Sequence, residues 1–153
     1  MTKEFLTNEV IRALIGIDFL NRFKTISNKY RDFDNRLSNP PIEKVKELIS
    51  LFGYNRKYFK KEKFFRITDS FIAETEMFIH ISVNSGDVEL IWYLELRGEG
   101  IDILGPWPLI AKKLGEPERV YRPFFSNCNE LEDILSVAFK MYEDFKDELL
   151  KKI

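Results

Sequence analysis

Between residues 71 and 97 apolar and polar side chains alternate with a period of two, and the parity of the alternation changes once. From Phe71 to Val83 the odd positions are Phe71, Ala73, Thr75, Met77, Ile79, Ile81 and Val83, while Glu74, Glu76, His80 and Ser82 stand at even positions. From Val88 to Leu96 the even positions Val88, Leu90, Trp92, Leu94 and Leu96 are apolar. Period-two alternation marks strands with one buried face, and Asn84-Ser85-Gly86-Asp87 between the two runs supplies turn residues. The pattern predicts a β-hairpin, 71–83/88–97, folded about a two-residue loop at Ser85-Gly86. That loop pairs Val83 with Val88, Ile81 with Leu90, Ile79 with Trp92 and Met77 with Leu94 on the core side. A slip of one residue would put the two apolar sets on opposite faces, so pattern and turn specify one register.

Elsewhere the period is helical. Leu6, Val10, Leu14 and Ile17 form a stripe that continues through Phe19, Phe23, Ile26, Tyr30 and Phe33, predicting a long amphipathic helix in which Gly16 is the point of bending or ending. Ser38-Asn39-Pro40-Pro41 introduces a second helix from Pro41 to Phe52, with Ile42, Val45, Leu48, Ile49 and Phe52 buried and Gly53 in a left-handed terminal position. Tyr54–Lys63 reads as a basic aromatic loop and Phe64–Thr68 as a strand.

After the hairpin, Arg97-Gly98-Glu99-Gly100 reads as a turn and Ile101–Leu104 as a short strand. Pro106 or Pro108 opens a short helix through Leu114, ended by Gly115, and Arg119–Phe125 reads as an edge strand weakened by Pro123. Asn127 or Asn129 caps a last helix in which Leu131, Leu135, Ala138, Tyr142, Phe145 and Leu149 recur at helical spacing. Together these elements predict an α+β fold with residues 1–153 as one domain. Its central antiparallel sheet has about four or five strands, packed by two N-terminal helices and a long C-terminal helix.

Composition narrows the class further. Apolar residues make up 44% of the chain and charged residues 32%, which suits a globular protein and neither a disordered nor a membrane-embedded one. No apolar run approaches the roughly 18 residues of a membrane span, and MTKEFLTNEVIRAL at the start lacks a signal-peptide core, so the expected location is cytoplasmic. Cys128 is the only cysteine, which excludes an internal disulfide or CxxC motif and leaves a lone buried thiol as the expectation. The net charge of -1 is unevenly spread. Residues 1–66 carry 15 basic and 8 acidic side chains, residues 67–104 carry 1 and 8, and the remainder 8 and 9. The hairpin region is an acidic island.

The register also defines the polar side of the hairpin, where Ser82 faces Glu89, His80 faces Ile91, Phe78 faces Tyr93, Glu76 faces Glu95 and Glu74 faces Arg97. Carboxylates directly opposed on a sheet repel by roughly 0.2–1 kcal/mol, so Glu76 and Glu95 call for a cation. An internal Arg66 or Lys63 on the preceding strand is the simplest source, and a basic protein partner the next. A metal is the poorest, because His80 is the only histidine and lies roughly 13 Å from Glu76 at about 3.3 Å per residue. Glu89, diagonal to His80, could orient an imidazole for acid-base work, but no nucleophile accompanies them.

Arg56, Lys57, Lys60, Lys61, Lys63 and Arg66, interleaved with Tyr54, Tyr58, Phe59, Phe64 and Phe65, have the composition of a nucleic-acid contact. Against that partner stand the slightly negative overall charge and the expectation that these aromatics pack into the core. Gly98, Gly100 and Gly105 form no phosphate-binding fingerprint, and the chain has no GxSxG or HExxH motif. Trp107, between two prolines, is expected to anchor the core. These absences lower the case for an enzyme and imply no cofactor or metal.

The expectation that follows is a non-enzymatic protein-binding module whose acidic, partly aromatic sheet face engages a basic partner through Glu74, Glu76, Phe78, His80, Glu89, Tyr93 and Glu95. Two rivals accompany it. One is a small-ligand protein or small enzyme with an aromatic pocket between sheet and helices. The other is nucleic-acid binding through residues 54–66, by Arg56, Lys57, Lys60, Lys61 and Lys63. A small α+β domain with an acidic sheet face and no catalytic motif resembles, in general style, the immunity proteins that neutralise bacterial toxins. The resemblance implies a toxin domain as the basic partner.

Overall fold

The structure is a computed structural model that describes residues 2–72, 75–96 and 101–152. Among these residues the elements run α1 (Thr2–Gly16), α2 (Phe19–Lys29), α3 (Ile42–Ser50), β1 (Asn55–Phe59), β2 (Phe64–Ile72), β3 (Thr75–Ser82), β4 (Glu89–Leu96), β5 (Ile101–Pro106), α4 (Trp107–Lys113) and α5 (Cys128–Lys152). The five strands form one antiparallel sheet in the order β1-β2-β3-β4-β5, so each strand pairs with its neighbours in sequence. Helices pack on this sheet, and the class is α+β. None of the described helices is long and apolar enough to cross a membrane.

The β3–β4 register is the one that the alternation specifies. Met77 pairs with Leu94, Ile79 with Trp92 and Ile81 with Leu90, all buried, while Glu76 opposes Glu95, Phe78 opposes Tyr93, His80 opposes Ile91 and Ser82 opposes Glu89. The turn is wider than the expected two-residue loop. The ladder ends at Ser82 and Glu89, and Gly86, at φ 82°, closes a turn by donating its N–H to the Val83 carbonyl. Backbone groups of the opened loop go elsewhere: the Val88 N–H donates to the Pro123 carbonyl, and the Phe125 N–H to the Gly86 carbonyl. That docking corrects the expected strand at Arg119–Phe125. Pro123 has no N–H to give a ladder, and only an isolated bridge, Asp87 to Phe124, forms there.

Further expectations change. The expected Tyr54–Lys63 loop contains β1, an edge strand whose basic side chains suit an unpaired edge. The run from Phe71 to Val83 is two strands, since Phe71 and Ile72 end β2 and β3 begins at Thr75. Ala73 and Glu74 lie outside the described residues, as do Arg97, Gly98, Glu99 and Gly100, so the Glu74 to Arg97 pairing and the second turn are not described. The N-terminal helix is likewise two helices, parted at Gly16 as its glycine suggests. The second ends at Lys29, so Phe33 leaves the expected stripe and is 52% exposed, edge-on to Phe124. Cys128, expected buried, is partly exposed.

The core lies between one face of the sheet and the helices. Phe65, Ile67, Met77, Ile79, Ile81, Leu90, Trp92, Leu94 and Leu104 supply the sheet side. Trp92, 1% exposed, is the hub: its ring meets Phe19 at 5.8 Å, Trp107 at 5.7 Å, Tyr142 at 6.3 Å and Phe145 at 5.1 Å. Trp107 is thus the core anchor that its proline-flanked position predicts. Asn127 starts α5 by accepting the Glu130 N–H on Oδ1 at 2.9 Å, while Glu130 accepts the Ser126 N–H at 2.8 Å. A polar strap fixes the helix over β2, where Asp69 accepts from Tyr142 Oη at 2.5 Å and pairs with Lys146 Nζ at 3.1 Å.

Because Trp92 joins α2, α4 and α5 to the central strands, Trp92→Ala should cost about 3–5 kcal/mol of stability, measured by urea unfolding. A loss below about 1 kcal/mol would show that these ring contacts do not hold the helices to the sheet.

Candidate functional site

Side chains alternate across the sheet, so the strands that bury Phe65, Ile79 and Trp92 present their intervening residues on the opposite face. There Phe64, Arg66 and Thr68 of β2, Glu76, Phe78, His80 and Ser82 of β3, and Glu89, Ile91, Tyr93 and Glu95 of β4 are all partly exposed. The core helices lie on the other side. This open face is the candidate site, and every described partner-binding residue expected from sequence stands on it: Glu76, Phe78, His80, Glu89, Tyr93 and Glu95.

Its chemistry differs from a uniformly acidic surface. A file of rings crosses four strands, with Phe59 stacked on Phe64 at 4.7 Å, Phe64 beside His80 at 4.6 Å, and His80 beside Tyr93 at 4.6 Å. Arg66, opposite His80 in the ladder, lays its guanidinium over the Phe78 ring at 4.5 Å. Lys57, opposite Arg66, places its ammonium over Phe59 at 5.0 Å. Phe59 and Phe64 therefore do not join the core, contrary to expectation, while Phe65 does, at 2% exposure.

The acidic island resolves into paired and unpaired members. Asp87 and Glu89 share Arg122, at 3.3 Å and 2.8 Å, and Asp69 is held by α5. Glu76 accepts one hydrogen bond, from Ser70 Oγ at 3.0 Å, and neither Glu76 nor Glu95 forms an ion pair among the described residues. The expected internal cation is absent there for a geometric reason. Arg66 opposes His80, four residues along β3 from Glu76, and its guanidinium is laid over the Phe78 ring, while Lys63 sits in the β1–β2 turn beyond the strand end. Glu89, the expected orienter of His80, is occupied by Arg122.

His80 is wedged between two rings, and its Nε2 is buried without a hydrogen-bond partner among the described residues. Burial first, and the positive charge of Arg66 second, push its pKa below the ordinary 6.5. The imidazole is therefore neutral at neutral pH and behaves as another flat ring in the file. Opposite it, the polar strap under α5 also has shifted groups. Burial and then the Asp69 carboxylate push the Tyr142 hydroxyl far up, and the Tyr54 hydroxyl rises through burial and its hydrogen bond to Glu143. These phenols stay protonated and act as fixed donors.

Around Trp92 the space between sheet and helices is filled by ring contacts. Three surface grooves of about 290 to 320 Å³ lie beside α2 or between α1, α2 and α5, and no sheet residue lines them. Of the basic set, Arg56 and Lys57 are exposed on β1 and Lys60, Lys61 and Lys63 are exposed in the turn that follows. Sequence reasoning missed the ring file and Arg122, because both depend on pairings between separate segments.

The unfolded chain takes up a proton on histidine near pH 6.5, whereas folded His80 takes it up only at lower pH. Below about 6.5 the unfolded state binds more protons, so stability falls as the pH drops, by at most about 1.4 kcal/mol per pH unit and less for a partly exposed ring. Between about pH 7.5 and about pH 5.5 the wild type should lose more stability in urea titrations than His80→Gln. Equal losses would show that the ring is not desolvated in the folded state.

No protein-family model, curated protein or solved structure matches this chain, so its function has to be argued from the geometry of the open face.

Proposed function

We propose that the chain is a non-enzymatic protein-binding module whose open sheet face receives a basic partner. The observation that carries this reading is the Glu76 and Glu95 pair, directly opposed on the open face and neither of them in an ion pair among the described residues. Opposed side chains on adjacent antiparallel strands have Cβ atoms about 4.5–5.5 Å apart, close enough for one guanidinium or ammonium to bridge both carboxylates. One ladder position along, Phe78 and Tyr93 face each other and supply apolar anchors beside the charge. A partner's cation would relieve the repulsion, so complex formation gains an interaction that the free protein holds in unfavourable form. An immunity protein that neutralises a basic toxin domain is the biological setting that this surface fits. Glu89, already neutralised by Arg122, contributes shape more than charge.

The reading makes stability and binding move in opposite directions. Glu95→Lys turns a like-charge pair into an opposite-charge one, so the isolated protein should gain about 0.5 kcal/mol in urea unfolding. The same substitution, and the double variant Glu76→Lys/Glu95→Lys, should release proteins that wild type captures by cross-linking in a salt-sensitive manner. A loss of stability in Glu95→Lys would mean that an internal cation already serves Glu76. Unchanged capture by the double variant would mean that the partner binds elsewhere.

A further inference from the structure

The geometry points to a second ligand for the same face: a single strand of nucleic acid, bound along the β1–β2 hairpin and the adjoining file of rings. The slightly negative charge of the whole chain argues against such a partner only if charge is evenly spread, and it is not. Residues 54–66 carry six basic side chains and one acidic one. Among the described residues none of those six forms an ion pair with a carboxylate, whereas Lys140, Lys146 and Lys151 of α5 and Arg122 are engaged. The basic side chains of the hairpin are therefore free to meet phosphates.

The rings give the ligand its class. Phe59 and Phe64 stack on each other, 12° apart, and the file continues through His80 to Tyr93, so the inner rings turn their faces to one another and the outer side of Phe59, on edge strand β1, is left to a ligand. An unpaired base stacks on such an edge ring without sequence preference while basic side chains follow the backbone. Bases already stacked in a duplex offer no free faces, so a single strand fits and a double helix does not. Lys57 and Arg66 lie over rings of this surface, within reach of phosphates that flank stacked bases. Glu76 and Glu95 stand roughly 13 Å along the strands from the Arg66 row and face the other way in charge. The two charged regions therefore lie apart on one platform, with Tyr93 shared between them, and this site stands whether or not the acidic half binds protein.

The test is fluorescence anisotropy of the full chain with labelled poly-U and poly-dT of about 12 nucleotides, at rising salt. Binding should weaken with a log-log salt slope of about -2 to -3, the signature of three or four phosphate contacts on a single strand. The variant Lys57→Ala/Lys60→Ala/Lys61→Ala, at exposed positions that leave the fold intact, should bind at least about tenfold more weakly. Phe59→Ala should lose about fivefold or more for the single strand while its affinity for heparin is unchanged. Glu76→Lys/Glu95→Lys, which tests the protein-binding reading, should leave oligonucleotide binding intact or tighten it. The proposal is overturned by absence of binding at low salt. It is equally overturned if duplex, heparin and vesicles of anionic phospholipid compete as well as the single strand and Phe59→Ala changes nothing.

Discussion

The packing of Trp92 against α2, α4 and α5 is the constraint on which the rest depends. A strand has only two faces, so once the indole and its neighbours Leu90 and Leu94 are committed to the helices, Ile91, Tyr93 and Glu95 have no choice of side. The ladder passes that choice to β3 and from β3 to β2, where Arg66 and Phe64 emerge on the open face because Phe65 and Ile67 are buried. An interaction made wholly inside the core therefore composes the outer surface. Nothing on that surface needs to favour its own arrangement, which is how two carboxylates come to stand opposite each other.

The parts of this fold legible in the sequence are those where two independent signals agree. For β3 and β4 the apolar parity and the position of the turn specify one register, and that register places Glu76, Phe78, His80, Tyr93 and Glu95 together, as the fold does. Parity failed at the β2–β3 junction because a register shift between Ser70 and Ile72 offsets the even-to-odd pairing of Ile72 with Thr75 and leaves odd positions buried in both strands. Phe71 and Thr75 are both odd, so the alternation in the sequence runs on unbroken, without a Gly, Pro or Asn to mark a change of strand. The β1–β2 turn was hidden similarly, since Lys60-Lys61-Glu62-Lys63 has no ordinary turn residue and Lys63 adopts a left-handed φ of 59°. Without that hairpin the stacking of Phe59 on Phe64 could not be inferred.

Charge shows the same limit. Along the chain the hairpin region is uniformly acidic, yet in the fold Asp69 is claimed by Tyr142 and Lys146 and Asp87 and Glu89 by Arg122. The partners come from α5 and from the 119–125 segment, whose docking on the hairpin loop depends on backbone hydrogen bonds that no local pattern announces. What survives is a face with its charges sorted, carboxylates at one end of the central strands and cations at the edge hairpin, separated by rings.

Such sorting has an energetic meaning. On an isolated sheet, exchanging one member of each group would bring opposite charges together and favour the fold by a few tenths of a kcal/mol per pair. Separated charge forgoes that stabilisation but leaves each half with a field of one sign, which speeds encounter with an oppositely charged ligand and selects its orientation. The neutral His80 matters in the same way. Were it protonated at neutral pH, its charge would interrupt the apolar file between Phe64 and Tyr93. Its burial and the adjacent Arg66 keep it uncharged, so the rings read as one continuous surface between two charged borders.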